Sequence, residues 1–345
     1  MPHPGPRPLP LFLELVRSET TADAEGLARA LAGLRAYQEA PRTRVRPERR
    51  IVAQTGRACL REIGGAGPPV VFVPSLINPP DVLDLSTNAS LLGWLAEERG
   101  LRTLLVDWGS PDPGERGCDV GDHVADYLLP LLASLGEPAV LVGYCLGGTM
   151  AIAAANLVEV RGVGLIAAPW RFSGFGTAMA EMLALWRDAE PACDALGLVP
   201  MEVLQTGFWR LDPQRTVAKF QRFGELDPAS AEAADFVALE DWANAGAPLT
   251  YAAGRQLFES FIGADDPGSG RWAVGGRIVS PQAIGCPAVE FVSLTDRIVP
   301  AATAIGLADR RDLNAGHVGM VVGSRARAQL WEPLADWLSD RIRPI

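Results

Sequence analysis

Several common classes of protein are excluded by what this chain has little of. Its five cysteines, Cys59, Cys118, Cys145, Cys193 and Cys286, are odd in number, widely spaced and contain no C-x-x-C pair. Neither a disulfide framework nor a zinc site is implied, so a reducing cytoplasm is the expected compartment. Basic charge is in deficit: 31 Lys and Arg stand against 41 Asp and Glu, a formal net charge of −10. That balance argues against nucleic acid or an anionic membrane as the main partner. Lys219 is the single lysine, which reads as genome composition rather than mechanism. The apolar run Leu9 to Val16 is short, contains Glu14 and lacks a basic lead, so neither a signal peptide nor a membrane span is expected there. Internal repeats are absent. What remains is a globular composition, 48% hydrophobic and 21% charged over 345 residues, enough for a large core in one inserted domain or in two.

The pattern along the chain is that of an α/β protein. Residues 1–10 are Pro-rich and irregular, and Leu11 to Tyr37 carries Leu, Val and Ala at helical spacing, one or two amphipathic helices. Arg42 to Arg61 is arginine-rich: either a solvated face or an anchor for a phosphate-bearing substrate. Apolar runs suited to buried parallel strands follow at Pro69–Pro74, Arg102–Asp107, Ala139–Val142, Gly162–Ala168 and Pro287–Leu294. Helical stretches fall between them at Leu91–Arg99 and Asp122–Leu135, and a closing helix at Ser324–Arg341. This alternation predicts a mostly parallel, doubly covered sheet. From Trp170 to Gly285 the rhythm breaks into helical stretches with scattered aromatics, which predicts an inserted helical cap. The expected organisation is therefore an extension at 1–50, a core at 51–169 and 286–345, and a cap at 170–285.

The stretch Val140-Leu-Val-Gly-Tyr-Cys-Leu-Gly-Gly148 is the most informative. A strand ends at Gly143, a small-residue helix begins near Gly148, and Cys145 lies between Gly143 and Gly147. This is the strand–turn–helix of a nucleophile elbow, G-x-S-x-G, with cysteine at the serine position. The glycines let the strained turn pass close to its neighbours, and the helix N-terminus favours negative charge on the sulfur and, later, on an oxyanion. Alone, Cys145 would read as a small buried hydrophobe; the surrounding pattern makes it a nucleophile. In the α/β-hydrolase fold the order is nucleophile, acid, histidine, and of His3, His123 and His317 only His317 satisfies it. Otherwise it is an ordinary loop histidine. Asp296 follows the Val289–Thr295 strand and is the expected partner of His317; the competing reading is a helix cap or a pair with Arg297. The oxyanion hole is expected from the backbone N–H groups of Leu146 and Ile77, with Leu76 the alternative to Ile77.

These motifs together resemble the polyhydroxyalkanoate synthases, most of all the short catalytic subunit of the two-component type. Gly143-Tyr-Cys-Leu-Gly-Gly148 looks like that family's cysteine lipase box. Pro74-Ser-Leu-Ile-Asn-Pro-Pro-Asp-Val-Leu-Asp-Leu85, Val106-Asp-Trp-Gly-Ser-Pro-Asp112, Thr295-Asp-Arg-Ile-Val-Pro300 and Gly316-His-Val-Gly319 are similar to its other motifs. The similarity runs over about residues 60–340. Two departures stand out: Arg297 where the family usually has histidine, and Gly121-Asp-His123 where it often has Asp-Asp-Tyr. The resemblance implies an acyltransferase that polymerises (R)-3-hydroxyacyl-CoA into polyester with release of CoA, using Cys145, His317 and Asp296. It also implies no cofactor beyond the CoA thioester substrate, no metal, self-association, a helical partner subunit and contact with a polyester granule. Two alternatives remain: a hydrolase cleaving thioesters or polyester with the same triad, and a non-catalytic subunit binding granules or a synthase.

Overall fold

The computed structural model describes residues 5–42, 49–87 and 89–342. His3, Arg44 and Arg46 lie outside them. The chain divides into two compact units, Met1–Pro47 with Pro200–Gly246, and Glu48–Val199 with Ala247–Ile345.

The larger unit is built on an eight-stranded sheet. Its strands are β1 (Arg50–Thr55), β2 (Ala58–Gly64), β3 (Ala66–Val73), β4 (Leu101–Asp107), β5 (Val140–Tyr144), β6 (Gly162–Ile166), β7 (Ala288–Ser293) and β8 (Arg310–Leu313), in the order β1-β2-β4-β3-β5-β6-β7-β8. Only the β1/β2 and β2/β4 pairings are antiparallel. The β3/β4, β3/β5, β5/β6, β6/β7 and β7/β8 pairings are parallel. Every residue of β5 and β6 is buried, so both faces of the sheet centre are covered, as the continuous apolar runs require. The five expected strands are β3 to β7. The sequence reading did not find β1, β2 or β8. β1 and β8 are edge strands whose side chains largely face water, so their charges erase the apolar signal.

The same charges explain the arginine-rich run. Arg49 pairs with Asp84 (3.0 Å), Arg50 with Glu62 (2.5 Å), Arg57 with Glu115 (3.0 Å), and Arg61 with Asp107. Within the smaller unit Arg42 pairs with Asp241 (3.2 Å). Each described member of the run thus already holds a carboxylate, which favours the structural reading over a phosphate anchor.

The smaller unit joins the first two helices, Leu9–Glu19 and Ala24–Glu39, to the helices Met201–Leu211, Pro213–Phe223 and Ala231–Asn244. The amphipathic pattern near the N-terminus thus builds a core of its own. Phe12, Val16, Leu34 and Tyr37 bury against Trp209, Val217, Phe220 and Phe223. Gly33 crosses so close to Phe220 that a Cβ would overlap its carbonyl. Tyr37 donates from its hydroxyl to Asp241 (2.6 Å), and Lys219 bonds both oxygens of the buried Glu240 (2.7 and 2.8 Å).

In the larger unit, the loop after β4 is tied down around His123. Its Nδ1 lies 2.6 Å from the Asp119 carbonyl and its Nε2 2.7 Å from the Arg57 guanidinium. The carbonyl can only accept and the guanidinium can only donate, so the ring is neutral with its proton on Nδ1. Burial lowers the His123 pKa to about 4, against the hydrogen bond to Asp119, and Arg57 adds to the lowering. The folded state therefore refuses a proton that the unfolded chain accepts near 6.5. Its contribution to stability is present above that value and is lost as pH falls through about 4. The urea midpoint should decline across this window in the wild type and less steeply in His123→Gln; equal slopes would contradict the neutral, buried ring.

Candidate active site

Parallel pairing brings the site together. Val73 of β3 lies beside Gly143 of β5, and Tyr144 beside Ile166 of β6. The segment after β3 and the turn after β5 therefore emerge next to each other. The turn is tight because three glycines leave no room for side chains. A Cβ on Gly143 would strike the Gly148 backbone, and one on Gly147 would strike the carbonyls of Val73 and Pro74. Between them Cys145 takes φ 56° and ψ −132° and is half-buried. A non-glycine residue in that region is strained. The strain is held by main-chain bonds from Cys145 N–H to the Ile166 carbonyl (2.9 Å) and from Gly148 N–H to the Cys145 carbonyl (2.8 Å). The helix Leu146–Leu157 starts immediately after the sulfur-bearing residue.

Asp296 leaves the end of β7 and is buried. Its Oδ1 accepts from the N–H groups of Ile298 (2.8 Å) and Val299 (3.0 Å), which fixes the carboxylate. Its Oδ2 lies 2.5 Å from His317 Nδ1. His317 follows β8, and the loops after β7 and β8 are cross-tied by the Ser293 hydroxyl, which donates to the Ala315 carbonyl. With Nδ1 committed to Asp296, Nε2 is the nitrogen left over, and Cys145 is among the groups that raise the His317 pKa. Asp296 and His317 thus meet side chain to side chain, and the ring stacked on His317 belongs to Tyr144, the residue next to Cys145. Burial pulls the His317 pKa down, but the Asp296 carboxylate with its hydrogen bond, and the neighbouring Cys145, outweigh it, and the value is raised to about 10. Burial also raises the thiol pKa values of Cys59, Cys118, Cys193 and Cys286, that of Cys118 to about 12. Those thiols are held protonated and are poor nucleophiles.

Leu146 is the first residue of its helix, where the helix supplies no acceptor for the N–H. The Ile77 N–H donates to the Ser75 hydroxyl (3.1 Å), so it must leave that bond to serve an oxyanion. The loop is anchored at Pro74, whose carbonyl accepts from the Trp108 indole (3.1 Å). Two contributors escaped the sequence reading. Ser75 carried no signal beyond its place in the loop. Tyr144 occupies the variable position of G-x-C-x-G, yet it stacks on His317 at 5.0 Å between ring centroids.

The sheet, the elbow and the acid–histidine pair define the class, and the comparisons agree. The model of the alpha/beta hydrolase family matches residues 70–332, well over half of the sequence, and the chain belongs to that family. Within it, the chain is similar to the poly(3-hydroxyalkanoate) polymerase subunit PhaC of Haloferax mediterranei, 28% identical over 79% of this chain and 59% of that one. The corresponding subunit of Synechocystis is 27% identical over 79% of this chain and 78% of its own. The chain thus spans about three fifths of the length of the haloarchaeal relative. An epoxide hydrolase from Bacillus megaterium shares the fold at a TM-score of 0.52 and 12% identity, covering 82% of this chain and 97% of that one. Among the described residues, no helix is long and apolar enough to cross a membrane.

Two outcomes test this geometry. Gly147→Ala should cost about 3 kcal/mol or more, because backbone atoms rather than a flexible side chain block the added methyl. An unchanged denaturation midpoint would show that the elbow is looser than described. His317 binds its proton more tightly folded, near 10, than unfolded, near 6.5. It therefore stabilises the fold fully below about 6.5, and that contribution is lost as pH rises through about 10. Thermal melts of His317→Gln should lack the alkaline decline seen in wild type over this window; parallel curves would refute the buried ion pair.

Proposed function

We propose that the protein is a cysteine acyltransferase that polymerises 3-hydroxyacyl groups delivered as CoA thioesters. The observation that carries this reading is a cysteine on a strained, glycine-walled elbow together with a histidine held by a buried carboxylate, in a chain similar to polyester polymerase subunits.

The steps balance on these residues. The Cys145 sulfur attacks the thioester carbonyl, and the oxyanion is met by the N–H of Leu146 and that of Ile77 once released from Ser75. The carbon–sulfur bond to CoA breaks, and His317 gives its proton to the departing CoA sulfur. The acyl group now rests on Cys145. Thioester exchange of this kind is nearly isoenergetic. The hydroxyl of a second hydroxyacyl group then attacks the acyl-cysteine, His317 takes its proton, and the Cys145 sulfur leaves as the ester forms. Asp296 holds the imidazole in the tautomer that both transfers need.

Polymer rather than free acid requires that water be kept from the acyl-cysteine. The insertion supplies material for this. In the larger unit Trp170, Phe172, Trp186, Phe258, Phe261 and Trp272 pack ring against ring. The insertion is attached to loops leaving the strand ends: Trp170 N–H donates to the Thr303 carbonyl after β7 (2.8 Å), and the Thr250 hydroxyl donates to the Cys118 carbonyl after β4 (2.5 Å). These ties support a cap on the edge of the sheet that carries the site. The relatives' designation as subunits supports a partner chain as well.

With 3-hydroxybutyryl-CoA the wild type should release CoA and become turbid with polymer. Cys145→Ala should lose CoA release by about 10⁴-fold or more and form no acyl-enzyme by mass spectrometry. CoA release with soluble hydroxybutyrate as the sole product would establish the hydrolase instead. Undiminished turnover by the variant would remove the mechanism.

A further inference from the structure

Tyr144 is the last residue of β5 and the neighbour of the nucleophile. The rest of that strand is Val140, Leu141, Val142 and Gly143, all apolar. A phenol ending such a strand is costly to bury unless its hydroxyl is satisfied. Tyr144 is 3% exposed, and its hydroxyl donates to the main-chain carbonyl of His317 at 3.3 Å. Its ring lies against the His317 imidazole with a centroid separation of 5.0 Å and an interplanar angle of 27°. One side chain therefore grips the histidine at two points, the backbone through the hydroxyl and the ring through the π face.

We infer that Tyr144 is a positioning residue for His317, a role that rests on the acyl-cysteine reading of the site. Asp296 fixes the imidazole through one atom, Nδ1, and a single hydrogen bond leaves the ring free to tilt about it. The stacked phenol removes that freedom and fixes the direction in which the second nitrogen points. An aromatic face also favours an adjacent imidazolium over the neutral ring. The titratable groups acting on His317 are Asp296 and Cys145. Tyr144 itself stays a neutral donor, because burial and then the charges of Cys145 and Asp296 raise its pKa well above 10. Its position in the chain couples this grip to the elbow, since the residue that holds the base adjoins the residue that carries the sulfur.

The test uses two substitutions and two readouts. Tyr144→Phe keeps the ring and loses the tie to the carbonyl; Tyr144→Leu loses both. Steady-state CoA release should show kcat falling about fivefold in Tyr144→Phe and tenfold or more in Tyr144→Leu, with KM for the thioester within twofold of wild type. The second readout is alkylation of Cys145 by iodoacetamide as a function of pH, followed by peptide mass spectrometry, with His317→Gln as reference. The upper limb of that profile should move to lower pH in Tyr144→Leu and stay in place in Tyr144→Phe. Wild-type kcat and an unmoved limb in Tyr144→Leu, with His317→Gln altered, would overturn the role of Tyr144 and leave the base in place. A wild-type profile in His317→Gln would overturn the base and this inference with it. Should Tyr144→Leu fail to fold, wild-type kcat in Tyr144→Phe overturns the hydroxyl tie.

Discussion

The constraint on which the structure depends is a backbone squeeze. At the end of β5 the chain turns so sharply that Gly143 touches Gly148 and Gly147 lies on the carbonyls of Val73 and Pro74. No side chain fits at those points, and the residue left standing between them, Cys145, is forced to positive φ. The cost of that conformation is met by the surrounding sheet. Cys145 N–H continues the ladder to Ile166, and the elbow helix docks its small residues on the neighbouring backbone, where Gly148 meets Ala168. Larger residues would push the helix away from the strand end and carry its positive terminus away from the sulfur.

The second organising feature is charge placed where water is scarce. Asp296 is held by two backbone N–H groups and faces His317, so the imidazole meets the negative charge of a fixed carboxylate. Burial alone would drive that histidine neutral, as it does His123, which has an arginine where His317 has a carboxylate. In both rings burial pushes the pKa down; only beside the Asp296 carboxylate is that push reversed.

Much of this was legible from the sequence, for a physical reason. Strands buried on both faces must be continuously apolar, so β3 to β7 announce themselves, and the elbow is marked by glycines that sterics demand. β1 and β8 carry Arg50, Arg310, Arg311 and Asp312, and such strands cannot be told from solvated loops by pattern. β2 was hidden by Arg61 and Glu62, which pair across the sheet with Asp107 and Arg102 of β4. In the site, Cys145, Asp296 and His317 are singled out by motif and chain order. The roles of Tyr144 and Ser75 do not, because they depend on which loop folds back over which residue. The pairing of the first two helices with Met201–Asn244 was likewise invisible, since an amphipathic stripe states that a partner exists and not where in the chain it lies.

The bridge between Lys219 and Glu240 has a consequence beyond its local fold. Activated thioesters acylate free side-chain amines without help from any enzyme. This chain has one lysine, and both oxygens of a buried glutamate hold it. On the proposed reading, thioester substrates therefore meet a single competing side-chain amine on this chain, and that amine is held by a carboxylate.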